Sequence, residues 1–200
     1  EPDKVIARVC DLMTNRIPAK FHFSTSDIQV LTPMRRNQLG ADNLNVVLQQ
    51  AVNPMGPSLK KGSTLFRRGD RVMQMRNNYD KEVFNGDVGF IDEVNQEEGF
   101  LTVDFDDRHV IYELGELDEL VLAYASTVHK SQGSEYPAVI VVLATQHFKL
   151  LQRNLLYTAV TRGRKLVCIV GTHKAAGLAI RNNEVHERHT ALAERLQTPN

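Results

Sequence analysis

Apolar positions Val5, Ile6, Val9, Leu12 and Met13 recur at helical spacing behind Asp3, a good N-cap, and predict a helix over residues 3–15. Ile28-Gln29-Val30-Leu31 reads as a short strand closed by Thr32-Pro33. Leu44, Val47 and Leu48 mark the inner face of a second helix over about 41–51, and Asn53-Pro54-Met55-Gly56-Pro57 then breaks the chain. From there the period changes. Residues 71–75, 87–94, 100–105 and 109–114 form short runs, several alternating in and out, with turn-rich stretches such as Asn95-Gln96-Glu97-Glu98-Gly99 between them. Such runs predict a small antiparallel barrel, an arrangement that removes exposed sheet edges. Past Val121 the texture reverts. Leu122-Ala123-Tyr124-Ala125 reads as a strand, and Ala138-Val139-Ile140-Val141-Val142-Leu143 is apolar on both faces, as a central parallel strand covered by helices must be. A helix near 149–161, a strand over 166–170 and helices near 173–181 and 185–196 complete the pattern.

Strands alternating with helices at both ends predict an α/β fold with a parallel, doubly wound sheet. Residues 1–63 and 123–200 would form one discontinuous α/β domain, interrupted by a β-barrel over 64–122. Charge changes at the same places. The formal net charge is zero, yet residues 1–63 carry 8 Lys/Arg against 5 Asp/Glu, residues 64–122 carry 6 against 15, and residues 123–200 carry 10 against 4. An acidic insert between basic flanks suggests a domain that handles anions.

Composition excludes several classes. With 42% apolar and 24% charged residues in 200, the chain can bury a core, so low-complexity disorder is out. No apolar run approaches the roughly 18 residues of a membrane-spanning helix, and Glu1-Pro2-Asp3-Lys4 has no secretory character. Cys10 and Cys168 lie far apart in apolar surroundings, which points to buried thiols in a reducing cytoplasm rather than to a disulfide or zinc site. No metal-ligand spacing stands out.

A phosphate-binding P-loop is missing. Lys60-Lys61-Gly62-Ser63-Thr64 has its lysines before the glycine and no strand feeding it, and is read as a flexible basic linker. Ile91-Asp92-Glu93 superficially resembles a magnesium-binding carboxylate pair but falls in the barrel segment, where a solvated turn is expected. Two other stretches are chemically loaded. Residues 125–136 pack hydroxyl, imidazole, amine and amide side chains beside Gly133, at the carboxyl end of a strand where open α/β sheets bind ligands. An ordinary hydrophilic loop would have much the same composition. Residues 154–165 form an apolar helix face ending in Arg162, Arg164 and Lys165. An arginine fixed there could aim its donor fork at a phosphate, or the basic residues could simply offset the helix dipole.

Together these stretches resemble a known family. Thr127-Val128-His129-Lys130-Ser131-Gln132-Gly133-Ser134-Glu135 is similar to motif V of superfamily-one helicases, and Leu156-Tyr157-Thr158-Ala159-Val160-Thr161-Arg162-Gly163-Arg164 to motif VI. Val30-Leu31-Thr32-Pro33-Met34-Arg35-Arg36, with Gly40 and Leu44-Asn45, resembles the opening of the second motor domain in RecD-like helicases. The run from Asn78 to Gly89 resembles the start of the SH3-like barrel inserted there. The resemblance spans about residues 28–172 and extends to exodeoxyribonuclease V alpha subunits. It implies a RecA-like parallel sheet with helices on both faces, interrupted by an SH3-like β-barrel.

By position, the resemblance implies that Arg162 is the arginine finger for the γ-phosphate of ATP, with Arg164 in support. Glu135, Gly133 and Gln132 would serve the nucleotide, with Gln132 coupling the two ligands. Thr127, His129, Lys130 and Thr32 would face single-stranded DNA. ATP and Mg2+ are expected in the full-length protein and no cofactor on this chain alone. The expected partners are single-stranded DNA, a missing N-terminal motor domain and nuclease–helicase subunits, with no membrane. The family's usual direction is 5′ to 3′, in recombination and repair, and a chain lacking the first motor half is expected not to hydrolyse ATP by itself. Two alternatives share these features: the helicase half of a conjugative relaxase, and a non-catalytic interaction module built around the acidic barrel.

Overall fold

The computed structural model describes residues 1–183. Helix α1 (Pro2–Asp11) runs through a π-helical turn at Leu12–Arg16 into α2 (Ile17–Phe21), so the first helix is longer than its pattern predicts. Pro18 does not end it. It cannot donate within an α-helical ladder, and the π turn, where the Ile17 N–H reaches back to the Leu12 carbonyl, absorbs the missing donor. Strand β1 (Ile28–Thr32) and helix α3 (Ala41–Val52) follow as expected.

The presumed linker at 60–64 is instead a hairpin of β2 (Ser58–Lys61) and β3 (Thr64–Arg67), with Gly62 in the left-handed region at the turn. Strands β4 (Arg71–Gln74), β5 (Val88–Asn95), β6 (Phe100–Phe105), β7 (Arg108–Glu113) and β8 (Leu120–Leu122) make an antiparallel sheet ordered β7-β6-β5-β4-β8. Asp92 and Glu93 lie in β5 beside a bulge, not in a turn; both are exposed because they stand on the outer side of a strand. The curled sheet has β7 and β8 as its edges and is not closed by hydrogen bonds among the described residues.

The expected strand at 122–125 divides in two. Leu122 ends β8 in the antiparallel sheet, while β9 (Ala125–Thr127) joins the parallel one. Strand β10 (Tyr136–Leu143) leads through a 3-10 segment at Thr145–Leu150 to α4 (Arg153–Val160), shorter than the helix expected near 149–161. Strand β11 (Gly163–Gly171) and α5 (His173–Arg181) end the described chain, and the helix expected over 185–196 lies outside the described residues.

The parallel sheet is ordered β11-β10-β1-β9. Its centre shows why β10 is apolar throughout. Ala138, Ile140 and Val142 join one core with Val9, Met13, Leu44 and Leu48, while Val139, Val141 and Leu143 join another with Leu155, Ala159, Ala175 and Ala179. Helices therefore cover both faces, as the doubly wound pattern requires. The first core continues into the insert through Phe66, Val72, Leu101 and Tyr112. Cys10 and Cys168 are free and half-buried at its margin, and burial pushes both thiols up.

Two adjacent charges sit where the sheets meet. Asp70 is fully buried and accepts from the Arg67 amide at 2.7 Å, Asn53 Nδ2 at 2.7 Å, Gln49 Nε2 at 2.5 Å and the Tyr124 hydroxyl at 2.9 Å. These donors come from α3 and its exit, from β3 and from the segment before β9. Next to it, Arg71 donates from Nη1 to the Ser26 and Ile28 carbonyls and lies over the rings of Phe90 and Tyr136. Replacing Asp70 with Ala orphans four donors at once. The expected loss is about 3 kcal/mol or more, read as a lower denaturation midpoint in urea melts.

His147, in the 3-10 segment, is fully buried. Its Nδ1 accepts from the Ala144 amide, its Nε2 has no partner among the described residues, and burial pushes its pKa down to about 4. The unfolded imidazole titrates near 6.5, so between these values the unfolded chain binds more protons and stability falls as the pH drops. The loss should approach about 3 kcal/mol by the acid end of that window. Thermal melts of wild type and His147→Phe from about pH 7 to about pH 4 should show a shallower acid slope in the variant.

Candidate nucleotide and strand-binding face

Strand β9 is an edge of the parallel sheet, and a side chain supplies its missing neighbour. Asn45 of α3 donates to the Ala125 carbonyl at 2.9 Å and accepts from the Ala125 amide at 2.7 Å, matching both groups of the exposed edge. The Val128 amide bonds to the Thr32 carbonyl, and the chain then folds into a tight turn at the carboxyl end of the sheet. Within it the Ser131 amide bonds to the Thr127 carbonyl, the Ser131 hydroxyl donates to the Val128 carbonyl at 2.8 Å, and the Lys130 amide donates to the Thr127 hydroxyl. Val128 and Ser131 are thereby buried, leaving His129, Lys130, Gln132 and Glu135 exposed. Gly133 has φ +87°, a conformation that L side chains resist, and nothing lies where its Cβ would be. That bare backbone is open to a ligand.

Helix α4 brings the basic residues to the same face. Leu155 and Ala159 anchor it on the second core, and the chain turns at Thr161 into β11. Gly163 makes that turn possible, since a Cβ there would lie 2.5 Å from Val167 Cγ2 and 2.9 Å from the Leu166 carbonyl. The half-buried Arg162 donates from Nε to the Thr158 carbonyl at 3.2 Å, from Nη1 to the Ser134 carbonyl at 3.0 Å and from Nη2 to the Thr161 hydroxyl at 3.3 Å. Its carbonyl also accepts from the Tyr136 amide at 2.8 Å. The guanidinium is therefore neither sunk in the core nor turned from the 129–135 segment. Among the described residues three of its five N–H groups are engaged, which leaves two for a ligand. Beside it, Arg164 Nε meets Glu135 Oε2 at 2.7 Å.

The turn distributes its exposed side chains to two sides. His129 and Gln132 line a shallow cleft of about 150 Å³ with Lys149, Gln152, Asn154 and Thr158. Thr127 and Lys130 line a separate slot against α3 and the insert, where burial and, less strongly, Arg35 push the Lys130 ammonium below its usual range and Asp42 opposes them. Thr32 departs from expectation. It is fully buried and its hydroxyl donates to the Leu39 carbonyl at 2.7 Å, so its side chain secures the following loop and does not face a strand. The sequence also gave no role to the side chain of Asn45 or to Met75, whose placements depend on contacts made across sheets. Among the described residues, no group of three or more His, Cys, Asp or Glu is gathered to hold a metal, and no helix is long and apolar enough to cross a membrane.

Residues 44–105 match the SH3 domain of ATP-dependent RecD-like DNA helicases, and residues 122–170 match the C-terminal domain of UvrD-like helicases. A parallel RecA-like sheet with an SH3-like insert and these two motif segments defines a superfamily-one helicase motor domain. Within that class the chain belongs to the RecD-like helicases and corresponds to their C-terminal part. It is 42% identical over 170 residues to the ATP-dependent RecD2 DNA helicase of Deinococcus radiodurans, covering 85% of this chain and 23% of that protein. It is 32% identical over 169 residues to the RecBCD enzyme subunit RecD of Mycolicibacterium smegmatis, covering 84% and 29% respectively. The chain thus spans about a quarter of the length of these relatives. Its fold is similar to the Pif1 helicase from Bacteroides in complex with ADP-AlF3 and ssDNA, with TM-score 0.55, 16% identity, and coverage of 98% of this chain and 49% of that one.

The Arg164–Glu135 pair is solvated, its side chains 66% and 50% exposed, so it adds about 0–1 kcal/mol to stability. Glu135→Ala should therefore shift the thermal midpoint by no more than about 2–4 °C.

Proposed function

We propose that this chain is the second motor half of an ATP-dependent DNA helicase. It would complete the ATP site of a partner half and carry part of the single-strand track. The α/β part, 1–63 with 123–200, would be that motor, and the β unit expected over 64–122 would be its insert, with a leading hairpin that reaches back to Ser58. The observation that carries this reading is the placement of Arg162, held by carbonyls and a hydroxyl at the ligand-binding end of the sheet with two N–H groups free.

ATP with Mg2+, bound mainly by the first motor half, supplies the γ-phosphoryl group that is transferred to water. This chain's residues serve the negative charge and the geometry. Arg162 presents a planar donor fork to the phosphoryl oxygens, and its existing bonds hold it in place, so little reorganisation opposes the reaction. Arg164 adds positive charge and positions Glu135, which, with the bare backbone at Gly133 and the amide of Gln132, would meet the nucleotide. Thr127, His129 and Lys130 would hold the single strand through phosphate and sugar contacts that do not depend on base identity. Closing and reopening of the two halves, each time ATP is bound and hydrolysed, would step the protein along that strand, 5′ to 3′ as the family resemblance implies. The whole protein would act in DNA recombination and repair in the cytoplasm, and its relatives named as RecBCD subunits make nuclease–helicase subunits its candidate partners.

In the full-length protein, Arg162→Ala should lower kcat for DNA-stimulated ATP hydrolysis about a thousandfold or more, with little change in DNA affinity. Arg162→Lys should not restore it, because an ammonium lacks the fork. The 200-residue chain by itself should show no ATPase above background. Undiminished turnover in Arg162→Ala would overturn the arginine-finger assignment.

A further inference from the structure

Lys130 makes no ion pair among the described residues. Its Nζ sits 2.9 Å from the Met75 sulfur, a weak acceptor for a strong donor, while neighbouring Arg35 is already paired with Asp42 at 3.1 Å, and both of these line the same slot. Behind it lies a slot of about 150 Å³ whose lining is mostly apolar. Met73 and Met75 of the insert form one wall; Met73 pairs with Val121 across the β4–β8 ladder, which sets both on the side facing α3. The opposite wall is the first turns of α3, with Ala41 and Asn45. Thr127 also lines the slot. A drug-sized ligand needs a pocket of roughly 300–1,000 Å³, so this slot has room for a single flat ring. It opens onto a wider groove of about 470 Å³ that continues between α3 and the hairpin tip at Ser63 and Thr64.

A ring-sized apolar slot with an unpaired lysine at its mouth matches a ligand that joins a flat heterocycle to a phosphate. We propose that the slot between α3 and Met73/Met75 seats one base of the single strand, with its phosphate on Lys130. This rests on the strand-track reading above and makes the insert part of that track. Methionine suits such a seat, because its flexible, polarizable side chain adapts to purine and pyrimidine alike. Only an unpaired strand can offer a base edgewise to the slot.

The test is equilibrium binding of a fluorescent oligo-dT to the full-length protein, across a range of salt concentrations and with an abasic site moved stepwise along the strand. Wild type should lose affinity about threefold to tenfold when the abasic site falls at the seat. Met75→Ala should bind the intact strand more weakly by the same factor, lose that positional penalty and keep the wild-type salt slope. Met75→Leu should behave as wild type. Lys130→Ala should weaken every oligonucleotide alike and reduce the salt slope by about one. Met75→Ala that binds as wild type, or a wild type indifferent to every abasic position, would overturn the seat while leaving the track intact. A wild type that binds no strand would overturn the track reading itself. If excess dTMP erased the difference between wild type and Met75→Ala, the seat would belong to free nucleotide, and the strand assignment would fail.

Discussion

The architecture depends on the buried Asp70–Arg71 junction. A carboxylate removed from water is tolerated only when its oxygens are fully matched, and Asp70 is matched by donors from the exit of β3, from α3 and its last turn, and from the approach to β9. Arg71 faces the other way. It reaches across to the carbonyls before and within β1 and to the ring that opens β10. An insert joined to its host only by apolar packing could settle at several angles, whereas directional bonds from one dipeptide to both parts select one.

That fixed angle gives the 127–135 turn its character. The turn is held beneath by Asn45 and the Thr32 carbonyl and flanked by the insert on one side and α4 on the other. Within nine residues it presents Thr127 and Lys130 toward α3 and the insert, His129 and Gln132 toward α4, and Glu135 toward Arg164. Groups that line two separate cavities therefore share one short, internally bonded segment. A displacement of Arg162 acts directly on the Ser134 carbonyl, four residues from Lys130.

The contrast between Arg162 and Arg164 illustrates how environment assigns roles. Arg162 is half-buried and held by neutral acceptors, so its full charge remains for a ligand. Arg164 is exposed and already faces a carboxylate, a contact that solvent makes cheap to exchange. Thr32 shows the reverse case. A strand-end hydroxyl that looks available in sequence is fully taken by a loop carbonyl, because a buried polar group must find a partner.

The chain's own pattern determined the layers of this protein. The run at 138–143 read as a strand covered on both faces, and the period-two runs read as a separate antiparallel sheet. Local chemistry legible in residue type accounts for these, since periodicity and turn residues act over a few positions. Two departures from that pattern are local, the hairpin at 58–67 where a linker was expected and the π turn before Pro18. What tertiary structure decided depends on distant partners, as where residues 122–127 divide between two sheets. Buried Asp70, orphaned Nε2 of His147 and the slot beside Met75 are likewise products of elements meeting across the fold. No window of sequence holds such contacts, because the energy that places them comes from burial and hydrogen bonding between segments dozens of residues apart.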